Sequence, residues 1–381
     1  MQGEKNEQIC LTGLSLLTAY GADWRSYWKH LMQGHRALGP ASRFCFSSSS
    51  PPIVAEVKSL GEGKSEAPRQ STWLRAVLQD VCYAAGVSTS LSRCLLIIVG
   101  QAPQAVGAYA DESDVHEMVG PEPNELGLTS EPEAVIYLSH ACASAAMGLL
   151  LAREWLMADL VDFVIVAGAS VLNRYEYANM DVVRALSSTG ARPFDLERDG
   201  TTLGEGAGAI VLEKRKRAQA RQQNVHAVLL GGACCVAGES EVALDVDIAT
   251  TCIQRALQDA GRPQIDYIHA HAPGTVQGDQ AELAALEAVA AYWMWDSIPV
   301  SSHKGAVGHL MHASAFPAFG AALGFLQERI VPAGAGLRQS EPTTRRLRLI
   351  RTCERSPNAT AVLVNSFGFC GNYAALVLGE A

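Results

Sequence analysis

Eight short apolar runs, most of them closing on glycine, alternate with longer segments rich in alanine and leucine. This alternation limits the possible folds more than any other feature of the chain. "ICLTGLSLL" (9–17), "CLLIIVGQ" (94–101), "DFVIVAGAS" (162–170), "GAIVLE" (208–213), "AVLLGGACCVAG" (227–238), "YIHAHAPGT" (267–275), "TAVLVNSFGFCG" (360–371) and "AALVLGE" (374–380) read as strands. Residues 71–86, 145–160, 249–261, 278–293 and 314–329 read as helices between them. Strands this uniformly apolar must be covered on both faces, which predicts an α/β class with helices against a buried sheet. Residues 40–70, rich in Ser and Pro, show no period and read as loop.

The 381 residues, 48% hydrophobic and 18% charged, can bury a sizeable core, either as two domains or as one layered fold. A formal charge of -9 argues against a general nucleic-acid binder, which presents a basic surface. Ten cysteines raise the question of disulfides. The opening "MQGEKNEQICLTG" is too polar for a secretory leader, there is no C-x-x-C pair, and Cys234 and Cys235 are adjacent. These features predict mostly free thiols in a reducing, cytoplasmic compartment. The apolar run "ACASAAMGLLLA" meets Arg153 and Glu154 after a dozen residues, too short for a bilayer, and reads as a buried helix. A faint echo between "AGAIVLE" and "YAALVLGE" suggests duplicated halves. The division falls near "KRKRAQARQQN" (214–224), a charged surface helix or linker, giving 1–221 and 222–381.

Three stretches could carry chemistry. In "VIYLSHACASAAMGLLLAREW" (135–155), Cys142 sits among small residues between a strand-like and a helix-like run. A sulfur at a helix start lies near unpaired N–H groups and the positive end of the dipole, which favours thiolate; buried cysteines are otherwise inert packing. In "YIHAHAPGTVQGDQAEL", His269 and His271 alternate on one face of a strand, with His271 at its end. In "VSSHKGAVGHLMHASA", Lys304 and His309 are five apart, and His309 and His312 lie one turn apart on the next helix. Metal ligation by these histidines lacks an accompanying carboxylate pattern. Scattered core and surface histidines are the plainer alternative. In "RPFDLERDGTTLGEGAGAIVLE" (192–213), Gly204, Gly206 and Gly208 lead into a strand rather than a helix, so close backbone packing fits better than a nucleotide loop.

Taken in order along the whole chain, these stretches resemble the β-ketoacyl synthases, condensing enzymes of the thiolase-like superfamily. "ICLTGLSLLTAYG" is similar to the family's opening strand, "ACASA" to its nucleophile loop, and "RPFDLERDGTTLGEGAGAIVLE" to its central signature. "AHAPGTVQGDQAE", "SSHKGAVGHLMHASA" and "NSFGFCGNYAALVL" resemble its two histidine motifs and its C-terminal gate. The resemblance implies two duplicated α/β halves in an α-β-α-β-α stack. It implies that Cys142 accepts an acyl chain from acyl carrier protein, with His271 and His309 polarising the extender thioester and Lys304 tuning them. It also implies an oxyanion hole from the backbone N–H groups of Cys142 and Phe369, Phe369 as gate, and Thr275 on the phosphopantetheine arm. No metal or redox cofactor is needed for that reaction.

The sequence departs from the family pattern at Pro273, at His312–Ala315, at Ala318 where an acidic residue is usual, and at Cys370–Tyr373. The segment between "IVGQAPQAVGAYA" and Cys142 is also short. These departures suggest a specialised member, such as the ketosynthase of a dissociated type II polyketide system of the aryl polyene kind, as a homodimer or paired with a chain-length-factor-like homologue. Alternatives are a housekeeping fatty-acid elongation ketosynthase and a non-catalytic partner subunit. A degradative thiolase fits less well, since its second cysteine and coenzyme A loop have no counterpart. Docking of an acidic carrier protein would use a basic patch, either Lys214–Arg217 or Arg345, Arg346, Arg348 and Arg351; a solvated charged face is the alternative. "TTRRLRLIR" alternates as an edge strand does.

Overall fold

The computed structural model describes residues 6–42, 51–58, 70–87, 91, 93–100, 126, 128, 131–237 and 244–381. Eleven strands form two sheets joined edge to edge into one continuous path by a two-residue pairing of β1 with β6: β1 (Ile9–Thr18), β2 (Cys94–Val99), β3 (Ala134–Leu138), β4 (Phe163–Ser170), β5 (Gly206–Lys214), β6 (Ala227–Val236), β7 (Tyr267–His269), β8 (Ile298–Ser301), β9 (Leu347–Leu349), β10 (Ala361–Gly368) and β11 (Asn372–Gly379). A short twelfth strand, Gly21–Ala22, pairs with β1. The spatial order is β9-β8-β7-β10-β11-β6-β1-β5-β4-β2-β3. Outward from the centre, β1, β5, β4, β2 and β3 pair antiparallel, antiparallel, parallel and parallel. On the other side, β6, β11, β10, β7 and β8 repeat that order and those senses.

The helices are α1 (Trp24–Met32), α2 (Gln70–Ala84), α3 (Ser144–Met157), α4 (Arg174–Val182), α5 (Arg215–Ala220), α6 (Val246–Asp259), α7 (Val276–Tyr292), α8 (Lys304–Val307) and α9 (Ala315–Glu328). Helix α2 covers the outer face of β1, β5 and β4, and α6 covers β6 and β11 with α7 beside it. Helices α3 and α9 each touch strands of both halves: α3 packs on β4, β2, β6 and β11, and α9 on β10, β7, β1 and β5. The layers are therefore helix, sheet, helix pair, sheet, helix. Three apolar clusters fill the spaces between them, the largest around α3 and α9. Twelve of the fourteen residues of α9 are buried, so its sequence is apolar on every side. Strands β1, β2, β4, β5 and β10 are almost wholly buried, which is why they were readable as continuous apolar runs.

Several elements differ from the sequence reading. The run 267–275 is strand only to His269, because beyond it the N–H groups of His271 and Ala272 turn to the Glu282 carboxylate rather than to a neighbouring strand. Strand β8 and helices α1, α4 and α8 were not read from the sequence; β8 is four residues long and contains Pro299. Within 40–70, Gly39–Pro40 pairs with Ile53–Val54, while 43–50 and 59–69 lie outside the described residues. Most of the short segment before Cys142, 101–125, is also outside them. Strand β9 is the edge strand expected of "TTRRLRLIR", with Leu347 and Leu349 turned inward. The Gly204–Gly208 run is close packing: a Cβ at Gly204 would lie 2.2 Å from the Val307 carbonyl oxygen, and one at Gly206 2.2 Å from that of Leu17. All nine cysteines among the described residues are free thiols. No described helix is long and apolar enough to cross a membrane.

Candidate active site

Strand β3 ends at Leu138, and the chain reaches α3 through a tight turn in which Ala141 takes a left-handed φ of 47°. The hydroxyl of Ser144 closes this turn, accepting from the His140 N–H at 2.7 Å and donating to the Ala141 carbonyl at 2.6 Å. Cys142 follows, buried, immediately before the helix. Strand β10 presses against it: a Cβ at Gly368 would come within 2.9 Å of the Cys142 nitrogen, and Ser366 Oγ donates to the Cys142 carbonyl at 3.1 Å. The sequence suggested that the helix start would favour thiolate. Burial wins instead and pushes the thiol up to about 11, against the Lys304 charge and the N–H groups of Phe369 and Cys142 that point at the sulfur. At neutral pH the resting group is a thiol.

The imidazoles of His271 and His309 meet edge to face, 5.4 Å between centroids and 80° between planes. Both are buried, and burial together with the nearby Lys304 charge holds them well below the usual histidine range, so both are neutral. Their partners assign the tautomers. Lys304 Nζ lies 3.4 Å from His271 Nδ1 and also donates to the His271 carbonyl, so Nδ1 accepts and Nε2 carries the proton. His309 Nδ1 lies 2.5 Å from Ser314 Oγ, and with that hydroxyl as donor the proton again sits on Nε2. Two N–H donors thus remain for the cleft. Burial lowers Lys304 to about 8, against Glu282, Cys142 and Asp279, which raise it.

These groups open on a cleft of about 380 Å³ lined by Cys142, His271, His309, Thr275, Pro273 and Phe369, among others. Thr275 precedes α7, and its hydroxyl does not cap the helix. Phe369 lies in the turn between β10 and β11, where Cys370 has a φ of 58° and the Asn372 side chain donates to the Phe369 carbonyl at 2.6 Å. Tyr373 fills the wall behind this turn, its ring 5.3 Å from that of Phe367 and its hydroxyl accepting from the Asp245 N–H at 2.7 Å. Ala318 is buried within α9 and brings no charge.

The structure thus brings Cys142, His271, His309, Lys304, Phe369 and Thr275 together. His309 and His312 do not share a helical face. His309 lies in the loop after α8, and His312 turns away to the Ala169 carbonyl, 2.8 Å from its Nε2. Sequence reasoning missed the groups that hold the set. Glu282 accepts from the His271 and Ala272 N–H groups at 2.9 and 2.6 Å and from Asn365 Nδ2 at 3.0 Å. Asp279, one turn earlier on α7, accepts from the Phe194 and Gly274 N–H groups at 2.7 and 2.9 Å. Two carboxylates three residues apart in "GDQAE" were the available signal. The basic cluster at α5 is largely spent on neighbours: Lys214 pairs with Glu7 and Asp159, Lys216 with Glu7, and Arg217 with Asp162. Of the second cluster, Arg345, Arg348 and Arg351 line one shallow surface depression with Asp296.

Two family models match, the N-terminal domain of the β-ketoacyl synthases over residues 134–218 and the C-terminal domain over 226–338, together just over half of the chain. A chloroplastic 3-oxoacyl-[acyl-carrier-protein] synthase II of Arabidopsis thaliana is 24% identical, over 98% of this chain and 76% of that protein. A 3-oxoacyl-[acyl-carrier-protein] synthase 2 of Synechocystis sp. is 26% identical over 99% of both. Among solved structures, the ishigamide ketosynthase/chain length factor superposes with a TM-score of 0.86 at 24% identity, covering 99% of this chain and all of that one. With the duplicated strand order and the cysteine and histidine loops converging on one cleft, these matches show that the chain belongs to the β-ketoacyl synthase family of acyl-transferring, carbon–carbon bond-forming enzymes.

Proposed function

We propose that this chain is a 3-oxoacyl-[acyl-carrier-protein] synthase of a dissociated type II polyketide pathway, possessing one half, 1–221, that carries the acyl acceptor and another, 222–381, that carries the decarboxylation machinery. One observation carries the reading: Cys142 from the first half and His271, His309 and Phe369 from the second line a single cleft. The Cys142 sulfur attacks an acyl thioester, the carrier leaves as a thiol with the proton Cys142 gives up, and an acyl-Cys142 bond remains. Malonyl thioester then loses carbon dioxide, and its bonding pair moves toward the thioester oxygen, where the Nε2–H groups of His271 and His309 meet the developing charge. The resulting carbanion attacks the acyl carbonyl. The tetrahedral oxyanion sits on the N–H groups of Cys142 and Phe369, which in the resting enzyme point at the sulfur. Its collapse expels Cys142 as thiolate, which takes up a proton.

Phe369 is the gate of the acyl pocket, and Thr275 holds the phosphopantetheine arm. The carbonyl polarisation comes from imidazole N–H groups, so no metal or redox cofactor enters the proposed cycle. The departures at Pro273, Ala318 and Tyr373 support the specialised pathway, and the chain acts as a homodimer or as a heterodimer with a chain-length-factor-like homologue, the kind of pair named for a structure that shares its fold. We place the reaction in the cytoplasm, consistent with the free thiols. Intact-protein mass spectrometry after incubation with acyl carrier protein bearing short, unsaturated or aryl acyl groups tests the reading. One added acyl group, absent from Cys142→Ala, is the expected result. No acylation, with or without a co-expressed homologue, refutes it.

A further inference from the structure

One polar atom of the cleft has no part in the cycle above. Thr201 lines the cleft together with Cys142, His271 and His309. The residue is 1% exposed, and its Oγ1 is buried without a hydrogen-bond partner. Its backbone, by contrast, is fully bonded. The Thr201 N–H donates to the Ala185 carbonyl at 2.7 Å, and the Thr201 carbonyl accepts from the Ser187 N–H at 2.7 Å. The residues on either side are tied to the two histidine loops. The Gly200 N–H donates at 3.1 Å to the carbonyl of Gly274, in the loop that follows His271, and the Thr202 carbonyl accepts from the His309 N–H at 2.7 Å. Thr201 is therefore held in place between the loops that carry the two imidazoles.

A buried hydroxyl that bonds to nothing costs free energy, and a valine of nearly the same shape would fill the site without that cost. A bound partner accounts for the hydroxyl. The cycle proposed above already employs most other polar groups of the cleft. His271 and His309 meet the thioester oxygen, Cys142 carries the acyl group, and Thr275 holds the phosphopantetheine arm. Asp199 is acidic and accepts from the Ser187 and Ser188 hydroxyls. Arg184 and Gln277 line the cleft from exposed positions. One polar group of the extender is left without a partner: its carboxylate, one carbon removed from the thioester carbonyl.

We propose that Thr201 Oγ1 donates to the carboxylate of a malonyl-type extender, forming the subsite that separates a carboxylated thioester from a plain acyl thioester. This rests on the condensing cycle proposed above. A neutral hydroxyl suits the task better than a cation would. A guanidinium in contact with the carboxylate would stabilise the ground state and oppose loss of carbon dioxide, because that attraction vanishes as the charge moves away. A single hydroxyl fixes the direction of the group with a weaker hold. Direction matters, since the breaking bond must align with the carbonyl π system for its electron pair to reach the oxygen that the two imidazoles hold.

The test compares two pantetheine analogues in which NH replaces the thioester sulfur, one malonyl and one isovaleryl, the second having the same shape without the charge. Their binding to the wild type, Thr201→Val and Thr201→Ser is measured by titration calorimetry. Thr201→Val is expected to weaken the malonyl analogue about tenfold, the loss of one hydrogen bond to a charged group, and to leave the isovaleryl analogue unchanged. Thr201→Ser, which keeps the donor, recovers most of the affinity. Equal affinity of the wild type and Thr201→Val for the malonyl analogue overturns the proposal, as does an equal loss for both analogues or failure of the wild type to bind the malonyl one. If Thr201→Val does not fold, Thr201→Ala is read in the same way. Binding needs no turnover, so the two readings separate. A malonyl preference that depends on Thr201, in a chain whose Cys142 takes up no acyl group, refutes the condensing cycle and upholds the subsite. Condensation with a malonyl affinity indifferent to Thr201 refutes the subsite alone.

Discussion

In both halves the third strand runs into a helix buried between the sheets, β3 into α3 and β8 into α9. The first connection is residues 139–143; the second, 302–314, is more than twice as long. The short one presents a single reactive atom, and does so through the backbone: a left-handed Ala141, a Ser144 hydroxyl closing the turn, and Gly368 leaving room for the Cys142 amide. The long one presents Lys304 and His309 through side chains, each fixed by a buried partner. One architecture thus delivers a nucleophile by local strain and N–H donors by a polar network. The two devices should fail differently.

The largest expected effect lies in the short connection. Cys142→Ala removes the acyl acceptor and should reduce condensation by about 10⁴-fold or more, measured with acyl and malonyl carrier protein. His309→Ala should lower malonyl decarboxylation by about 10²- to 10³-fold while Cys142 still takes up an acyl group. Loss of acylation in that variant would mean that the two connections are not separable. Next is Glu282→Ala, which leaves the His271 and Ala272 N–H groups buried without an acceptor and should cost about 3 kcal/mol in chemical denaturation.

Acid should weigh more on the long connection than on the short one. His303, His309 and His312 within it, and His269 and His271 beside it, are all held below their unfolded value by burial, whereas the short connection holds one such imidazole, His140. As pH falls through about 6.5 the unfolded chain binds protons that the folded chain refuses, so stability falls. The slope should reach up to about 1.4 kcal/mol per pH unit for each imidazole, seen as a falling melting temperature. A flat melting temperature between pH 6.5 and 5 would show that these groups are not neutral in the fold. The smallest effect tests the strain in the short connection. Ala141→Gly should stabilise the protein by about 0.5–1 kcal/mol, since glycine accepts the left-handed conformation freely.

The same contrast decides what the sequence reveals. Cys142 was legible because strand, small residues and helix follow one another within twenty positions, and the apolar strands because both their faces are covered. Strand β8 was not, since four residues with a proline carry no period. His271, Lys304 and His309 were found through spacing and family likeness, and the fold brings them together. The contacts in the surrounding polar interior were not found. His269 and His303 are 34 positions apart and meet only because β7 and β8 pair side by side. Asn365 reaches Glu282 from 83 positions away, which a local pattern does not record, and Ser314, only five residues from His309, has no helical spacing to mark it as a partner. The thiol's protonation state was misjudged because a sequence shows the helix that follows Cys142 but not how deeply the sulfur is buried.

The seam between the halves has a consequence for how the molecule opens. Strands β1 and β6 share only two residue pairs, Cys10 with Val228 and Leu11 with Ala227. Most of the apolar contact between the halves runs through the pair of buried helices, each of which is roof to one sheet and floor to the other, beside polar contacts such as the Phe194 N–H to Asp279. Neither sheet can therefore shed its inner helix without exposing apolar surface of its twin. Amide hydrogen exchange in β4 and β10 should proceed with the same free energy, as one global event, although the two strands belong to different halves.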